Sequence, residues 1–276
     1  MDVSSHAVVL TLARLLTCVT VGVASVTPVH AGAADLKARS IEAYDKHAAT
    51  ATRDFVARAQ KLATAPRCDG VMTARAGSGD GILTVPDGLI HHWVGTAFVK
   101  GATLRQVSAV ARDYPSYAKV YESVRSARVI SQQGDDYEVL IRLKEGVGSI
   151  TAVLDVRSAV KYRPAGSSAI VATSQSEEIR QVENDGRPDE KILPAGRDDG
   201  YLWRAHTFTY FVEQEGGVFV VMETLGLSRR FPFGTAWFIE PIARRLGRKS
   251  VEGSLGEFLT AIRRTAGLPA VRSSCN

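Results

Sequence analysis

From residue 124 to residue 228 the chain reads almost wholly as strands, and a single amphipathic helix closes it. Within 137–144, Val139, Ile141 and Leu143 alternate with Glu138, Leu140 and Arg142, the period of a half-buried strand. Segments 124–132, 150–162, 169–182, 201–213 and 218–228 share the same texture. A Gly-Asp-Asp turn at 134–136 and Gly216-Gly217 mark tight connections, and a polar loop fills 183–200. A meander of about six strands must bury one face. The matching stripe lies in the last helix, where Val251, Leu255, Phe258, Leu259, Ile262 and Ala266 share one side. Ser250 caps that helix, and Gly267 and Pro269 end it. Pro241 makes 234–246 read as irregular. The order predicts an α+β fold: a curved antiparallel sheet wrapped around a long C-terminal helix.

Upstream elements fit around that plan. Ile41, Tyr44, Ala48, Ala51, Phe55, Ala59 and Leu62 recur at helical steps, so 32–66 reads as an additional N-terminal amphipathic helix. Residues 67–87 read as a linker with a short hairpin, its loop the glycine-rich run 76–81. No lysine-threonine pair follows that run, which argues against a phosphate loop. Residues 89–99 form a strand, Thr103 with Gln106 makes a capping box, and Pro115 separates two short helices. The main domain spans 88–267, with a tail at 268–276.

The first residues read as an address. Segment 15–26 (LLTCVTVGVASV) is uncharged, follows Arg14, and leads to Val29-His30-Ala31 with small residues at the −3 and −1 positions. Twelve such residues fall short of the roughly 20 needed to span a bilayer. A signal peptide over 1–31, cut near Ala31, predicts a periplasmic or secreted protein, and an exported protein is an improbable partner for nucleic acid. Cleavage leaves Cys68 and Cys275, which an oxidising compartment allows to pair; two unpaired thiols are the alternative.

The order of elements resembles the helix-grip, START-like (SRPBCC) superfamily, which also contains polyketide cyclases. The likeness is carried by Val85-Pro86-Asp87-Gly88-Leu89-Ile90-His91-His92-Trp93, Lys100-Gly101-Ala102-Thr103-Leu104, Asp113-Tyr114, Gly200-Tyr201-Leu202-Trp203-Arg204 and Leu227-Ser228-Arg229, and is sharpest to an uncharacterised bacterial exported branch. It covers roughly residues 85–266. The resemblance implies a pocket for a lipid or other apolar small molecule between sheet and terminal helix, held by a carrier or sensor. It implies no reaction and no cofactor. The alternatives are a polyketide cyclase- or hydratase-like enzyme using a pocket His or Tyr, and a closed, dry core.

Residue parity in the last hairpin separates two faces. Trp203, Thr207, Thr209, Phe211, Val220, Met222 and Thr224 fall on an uncharged face, whereas Arg204 and Glu223 fall on the other. Burying an unpaired charge is costly, so the uncharged face is directed at the terminal helix. With Leu255, Phe258 and Leu259 it makes the expected ligand pocket, and Arg204 and Glu223 are expected under the 35–63 helix. Gly253 and Gly256 are expected to let the terminal helix approach closely. His47, His91, His92 and His206 are the candidate bases, although His91 and His92 must point to opposite faces and cannot share a metal. No catalytic or metal-binding motif is present. From residue 229 onward, Arg229, Arg230, Arg244, Arg245, Arg248, Lys249, Arg263, Arg264 and Arg272 outnumber Glu240, Glu252 and Glu257. Beside Phe231, Phe233, Trp237 and Phe238 they suit peripheral contact with an anionic membrane; a solvated face is the alternative.

Overall fold

The computed structural model describes residues 30–66, 68–147, 150–230 and 236–271. Helix α1 (His30–Leu62) precedes strands β1 (Gly70–Ala76), β2 (Ile82–Val85) and β3 (Gly88–Lys100). Helix α2 (Leu104–Arg112), a 3-10 turn (Tyr114–Ser116) and helix α3 (Tyr117–Val120) follow. Then come β4 (Val124–Gln133), β5 (Asp136–Val147), β6 (Ile150–Pro164), β7 (Ala169–Glu183), the short β8 (Lys191–Ile192), β9 (Arg204–Gln214) and β10 (Gly217–Arg229), and helix α4 (Ala236–Ala266) ends the series. All strand pairs are antiparallel, in the order β1-β3-β10-β9-β7-β6-β5-β4, with β2 beside β3 and β8 beside β7. The sheet is open, and bulges in the β1–β3, β4–β5 and β6–β7 pairs bend it. This is a helix-grip arrangement, an open antiparallel sheet with a long C-terminal helix, and it has an extra helix in front.

Local chemistry explains most of these elements. The Thr103 side chain accepts from the Gln106 N–H while the Gln106 side chain accepts from the Thr103 N–H, a complete capping box. Pro115 lies in the first turn of the 3-10 segment, where a missing donor costs little. Gly216, with φ of 83°, turns the chain between β9 and β10. Helix α4 differs from expectation. It begins at Ala236, well before Ser250, and runs through Pro241. Near the N-terminus a proline removes few of the helix's hydrogen bonds, so the loss is tolerated.

The 67–87 region also differs. Strands β1 and β2 do not pair with each other but both lie along β3, β1 on its second half and β2 on its first. Residues 77–81 form an excursion between them, bridged at both ends by one residue. The Gly77 N–H donates to the His92 carbonyl, and the His92 N–H donates to that of Gly81, both at 2.9 Å. A Cβ at Gly77 would sit 2.2 Å from the His92 ring and one at Gly81 2.4 Å from the Trp93 ring, so these two glycines serve close approaches to side-chain rings.

Each face of the sheet carries its own core. On one, Tyr44, Ala48, Ala51, Phe55 and Ala59 of α1 pack against Ile90, Val94, Phe98, Phe208, Tyr210, Phe219, Val221, Leu225 and Leu227. On the other, Val251, Leu255, Phe258, Leu259 and Ile262 of α4 pack against Trp93, Ala97, Val99, Phe211, Val218 and Val220. Fully burying a side chain of this size contributes about 1.5–3 kcal/mol, so both helices are substantial parts of the fold.

The α1 face also holds a charge. Glu223 is 1% exposed and lies between Arg58, whose Nη2 is 2.7 Å from Oε1, and His92, whose Nε2 is 2.9 Å from the same oxygen. Arg58 also donates to the Ala51 carbonyl at 2.8 Å, and His47 Nε2 lies 3.0 Å from His92 Nδ1. Arg204 is partly buried at the start of β9. At the far end of the sheet, buried Arg263 pairs with Asp69 and donates to the Pro269 carbonyl, so it does not belong to a solvated basic face. Cys68, next to Asp69, is disulfide-bonded; the chain's other cysteines, Cys18 and Cys275, lie outside the described residues. The proposed signal peptide and the aromatic residues Phe231 and Phe233 lie outside them as well.

Two outcomes follow from these contacts. Arg58→Ala leaves the Glu223 carboxylate without its cation and is expected to destabilise the protein by about 3 kcal/mol, with Arg58→Ala/Glu223→Gln recovering part of that, in urea unfolding. Equal losses for the two variants would show that charge is not the cause. Peptide mapping without reduction is expected to recover Cys68 joined to Cys275; alkylation of both as free thiols would refute that pairing.

Candidate functional site

Strand register arranges the α4 face in rows. Ala97, Val220, Phe211 and Ile170 form the first, and Gly95, Met222, Thr209 and Ala172 the second. Trp93, Thr224, Thr207 and Ser174 form the third, and His91, Gly226 and Ala205 the fourth. The first row is sealed. Phe211, Val220, Leu255, Phe258 and Leu259 are all buried, and the Phe258 and Phe211 rings lie 6.0 Å apart. These five expected pocket residues are therefore packed core rather than open lining. The cause is the apolar stripe of α4, which fills the space it faces.

Beyond that row the packing loosens. Met222, Thr224, Thr207, Ser174, Ala205 and His91 keep partial exposure although they stand on the covered face of central strands. These rows are therefore covered less completely than the first and form a partly open band, the recess. Thr209, 7% exposed, marks the boundary. Trp203 is misplaced by the sequence reading. It precedes β9, packs with the α1 core, stacks under Lys37 Nζ at 4.6 Å and donates from Nε1 to Asp198 at 2.8 Å. Strand parity does not extend to a residue outside the strand.

The recess floor is polar but uncharged. Among the described residues, the hydroxyls of Thr207, Thr209, Thr224 and Ser174 have no hydrogen-bond partner in the protein. Ser176, by contrast, is engaged, accepting from the Ala205 N–H at 2.9 Å. His91 Nε2 lies 2.8 Å from Ser228 Oγ. Some of the His91 surface is open, yet burial lowers its pKa to about 4, so the ring is neutral at pH 7. The His91–Ser228 pair was not legible in sequence, because it depends on the pairing of two strands more than a hundred residues apart.

The other histidines serve the opposite face. His92 and His47 belong to the Glu223 cluster, and His206 Nδ1 lies 3.0 Å from the Tyr44 hydroxyl, which in turn lies 3.2 Å from the Leu225 carbonyl. Burial lowers the pKa of His47 and of His206. Tyrosines close one end of the α4 face. Tyr114 and Tyr162 hydroxyls lie 3.0 Å apart, and Tyr162 and Tyr117 donate to the Ala111 carbonyl at 2.8 and 2.6 Å. Burial raises Tyr162 to about 12, which suits a structural hydroxyl better than a proton donor at neutral pH. Among the described residues, no group of three His, Cys, Asp or Glu side chains could hold a metal ion.

Gly253 and Gly256 are not where close packing was expected. A Cβ at either would meet nothing within 4 Å. They line a surface groove of about 430 Å³ between α4 and α3, with Lys119, Glu257, Thr260 and Arg264. The close approach belongs instead to Gly247, where a Cβ would lie 2.3 Å from Trp93 Nε1.

The described rows thus give the sheet a partly open stretch without charge on the face that α4 covers. Solved structures similar to this chain include a fragment of the STAR-related lipid transfer protein from Xanthomonas axonopodis, at 18% identity, 71% coverage of this chain, 99% of that one and a TM-score of 0.46. The Zhui aromatase/cyclase from Streptomyces sp. R1128 is similar at 15% identity, with 65% and 99% coverage and a TM-score of 0.44. A START superfamily protein from Mycobacterium smegmatis is similar at 11% identity, with 63% and 98% coverage and a TM-score of 0.44. No family model and no curated protein matches the chain.

The depressed His91 pKa has a direction in stability. The unfolded chain takes up a proton near the ordinary value of 6.5, the folded one only near 4. Stability is therefore full above about pH 6.5 and falls as pH drops towards 4, at about 1.4 kcal/mol per unit. His91→Asn is expected to flatten part of that loss in thermal unfolding between pH 7 and pH 4; an unchanged slope would mean that His91 is not held neutral by the fold.

Proposed function

We propose that this is an exported, non-catalytic START-like protein that carries or senses a lipid or other apolar small molecule in the recess between the sheet and α4. The observation that carries the reading is the partial exposure of Met222, Thr224, Thr207 and Ser174 at the centre of a sheet face whose neighbouring row is sealed. A side-chain-lined, uncharged hollow beside a dry core is the surroundings an apolar guest needs. A guest burying about 300 Å² of apolar surface gains roughly 7 kcal/mol before ordering costs, enough for micromolar binding.

Export rests on the apolar segment 15–26 and the small residues before Gly32. A cut after Ala31 leaves nearly all of α1, which begins at His30. Contact with an anionic membrane is a further part of the reading, supported by exposed Arg229, Arg230, Arg248 and Lys249.

A second reading, a polyketide cyclase- or hydratase-like enzyme, draws support from His91, the histidine that stands at the recess beside a serine. Its pKa of about 4 weighs against it, because a general base works best when its pKa lies near the operating pH.

Binding of the neutral fluorophore N-phenyl-1-naphthylamine tests the carrier reading. The native protein is expected to bind it, and Thr207→Trp, which fills the recess, to weaken binding at least about tenfold while Lys119→Ala in the outer groove leaves it unchanged. Native mass spectrometry of protein purified from its own host should show a co-purified guest. Absence of both guest and probe binding would reject the reading, and N-terminal sequencing of the exported protein is expected to begin at Gly32.

A further inference from the structure

The third row offers more than an apolar surface. Thr224, Thr207 and Ser174 stand opposite one another on β10, β9 and β7. Neighbouring strands are about 4.8 Å apart, so this line of side chains crosses roughly 10 Å of the recess floor. None of the three hydroxyls is used within the protein. Met222 and Thr209 border the line on one side, and the His91–Ser228 pair on the other. The floor thus presents a series of groups that each donate and accept, spaced across an apolar surface.

Charge is missing from the same place. Among the described residues, the four rows contain no Lys, Arg, Asp or Glu. The nearby cations Lys119 and Arg264 belong to the groove between α4 and the α2–α3 segment. Carboxylates Glu122, Glu145 and Glu257 gather at the far end of β5, where partial desolvation and then Glu257 and Glu122 raise the Glu145 pKa. An ionised head taken into the recess meets no counter-charge on this floor, so the floor leaves its desolvation uncompensated. Neutral His91 supplies none either.

We infer that the recess selects a neutral apolar guest bearing two or more hydroxyl or carbonyl oxygens, recognised by Thr224, Thr207 and Ser174, over a guest of equal chain length with an ionised head. The inference rests on the recess being a ligand site. Hydroxyls in a half-buried row gain from such a guest a partner that none of the described residues supplies. Simple β-propensity explains a threonine on a strand, but it does not explain three unbonded hydroxyls in register on the covered side of the sheet.

Displacement of N-phenyl-1-naphthylamine by monoolein and by oleate at pH 8, both below micelle-forming concentration, tests it. The two probes share one acyl chain and differ in a neutral, oxygenated head against a carboxylate. Monoolein is expected to bind at least about tenfold more tightly. The variant Thr207→Val/Thr224→Val/Ser174→Ala keeps side-chain volume and is expected to lose about tenfold in monoolein affinity while still binding the fluorophore. Fluorophore binding with oleate equal to or tighter than monoolein overturns the inference and leaves the recess reading standing. A variant that binds the fluorophore and keeps full monoolein affinity also overturns it. No fluorophore binding by the native protein removes the recess reading, and this inference with it. Should the triple variant fail to fold, the monoolein-to-oleate ratio of the native protein decides alone.

Discussion

Strand β10 is apolar on both sides, and that constraint organises the molecule. Val218 and Val220 face α4 while Phe219, Val221, Leu225 and Leu227 face α1, all of them buried. A strand of this kind cannot lie at a water-facing surface, so the sheet needs a cover on each face. Helix α4 supplies one and α1 the other. The N-terminal helix is thus part of the fold's hydrophobic balance rather than an appendage. Glu223 interrupts the apolar run on the α1 side, and it is held there by Arg58 from the helix and His92 from the neighbouring strand. Only the carboxylate of the Arg58 pair is buried, and leaving it without the arginine is costly, which ties the helix to one seating.

Much of this was legible in the chain itself. Alternation in 137–144, the Thr103–Gln106 capping box and the stripe Val251–Leu255–Phe258–Leu259–Ile262 each report a local preference that the fold keeps. Hairpin parity placed Phe211 and Val220 opposite Glu223 and Phe208, because a period of two leaves no other option once β9 and β10 pair. The misses share a cause. The start of α4, the pairing of both β1 and β2 with β3, and the His91–Ser228 contact depend on long-range packing, which no window of sequence contains. Trp203 failed because a face was carried past the end of its strand. Gly253 and Gly256 failed because helix glycines announce unoccupied space without saying on which side it lies, and Gly247 was the residue that packs tightly.

The hollow is smaller than a sheet wrapped around a helix suggests. Phe258 against Phe211 closes one part of the interface, and the tyrosine cluster around Tyr162 closes an end. What stays open is a band floored by residues of intermediate polarity. Its chemistry differs from that of the flanking core by a few oxygens, and those oxygens are unengaged.

His91 and His92 are successive residues on β3, one beside Ser228 at the recess and the other beside Glu223 beneath α1. A single peptide unit therefore carries an imidazole into each of the two cores. Nitrogen-15 labelling of histidine lights every imidazole of the chain, and among them the signals of His91 and His92 report separately on the α4 side and the α1 side of the same strand. The molecule comes with its own pair of spectroscopic windows, and no dye or added tag is needed to watch one layer respond while the other stays still.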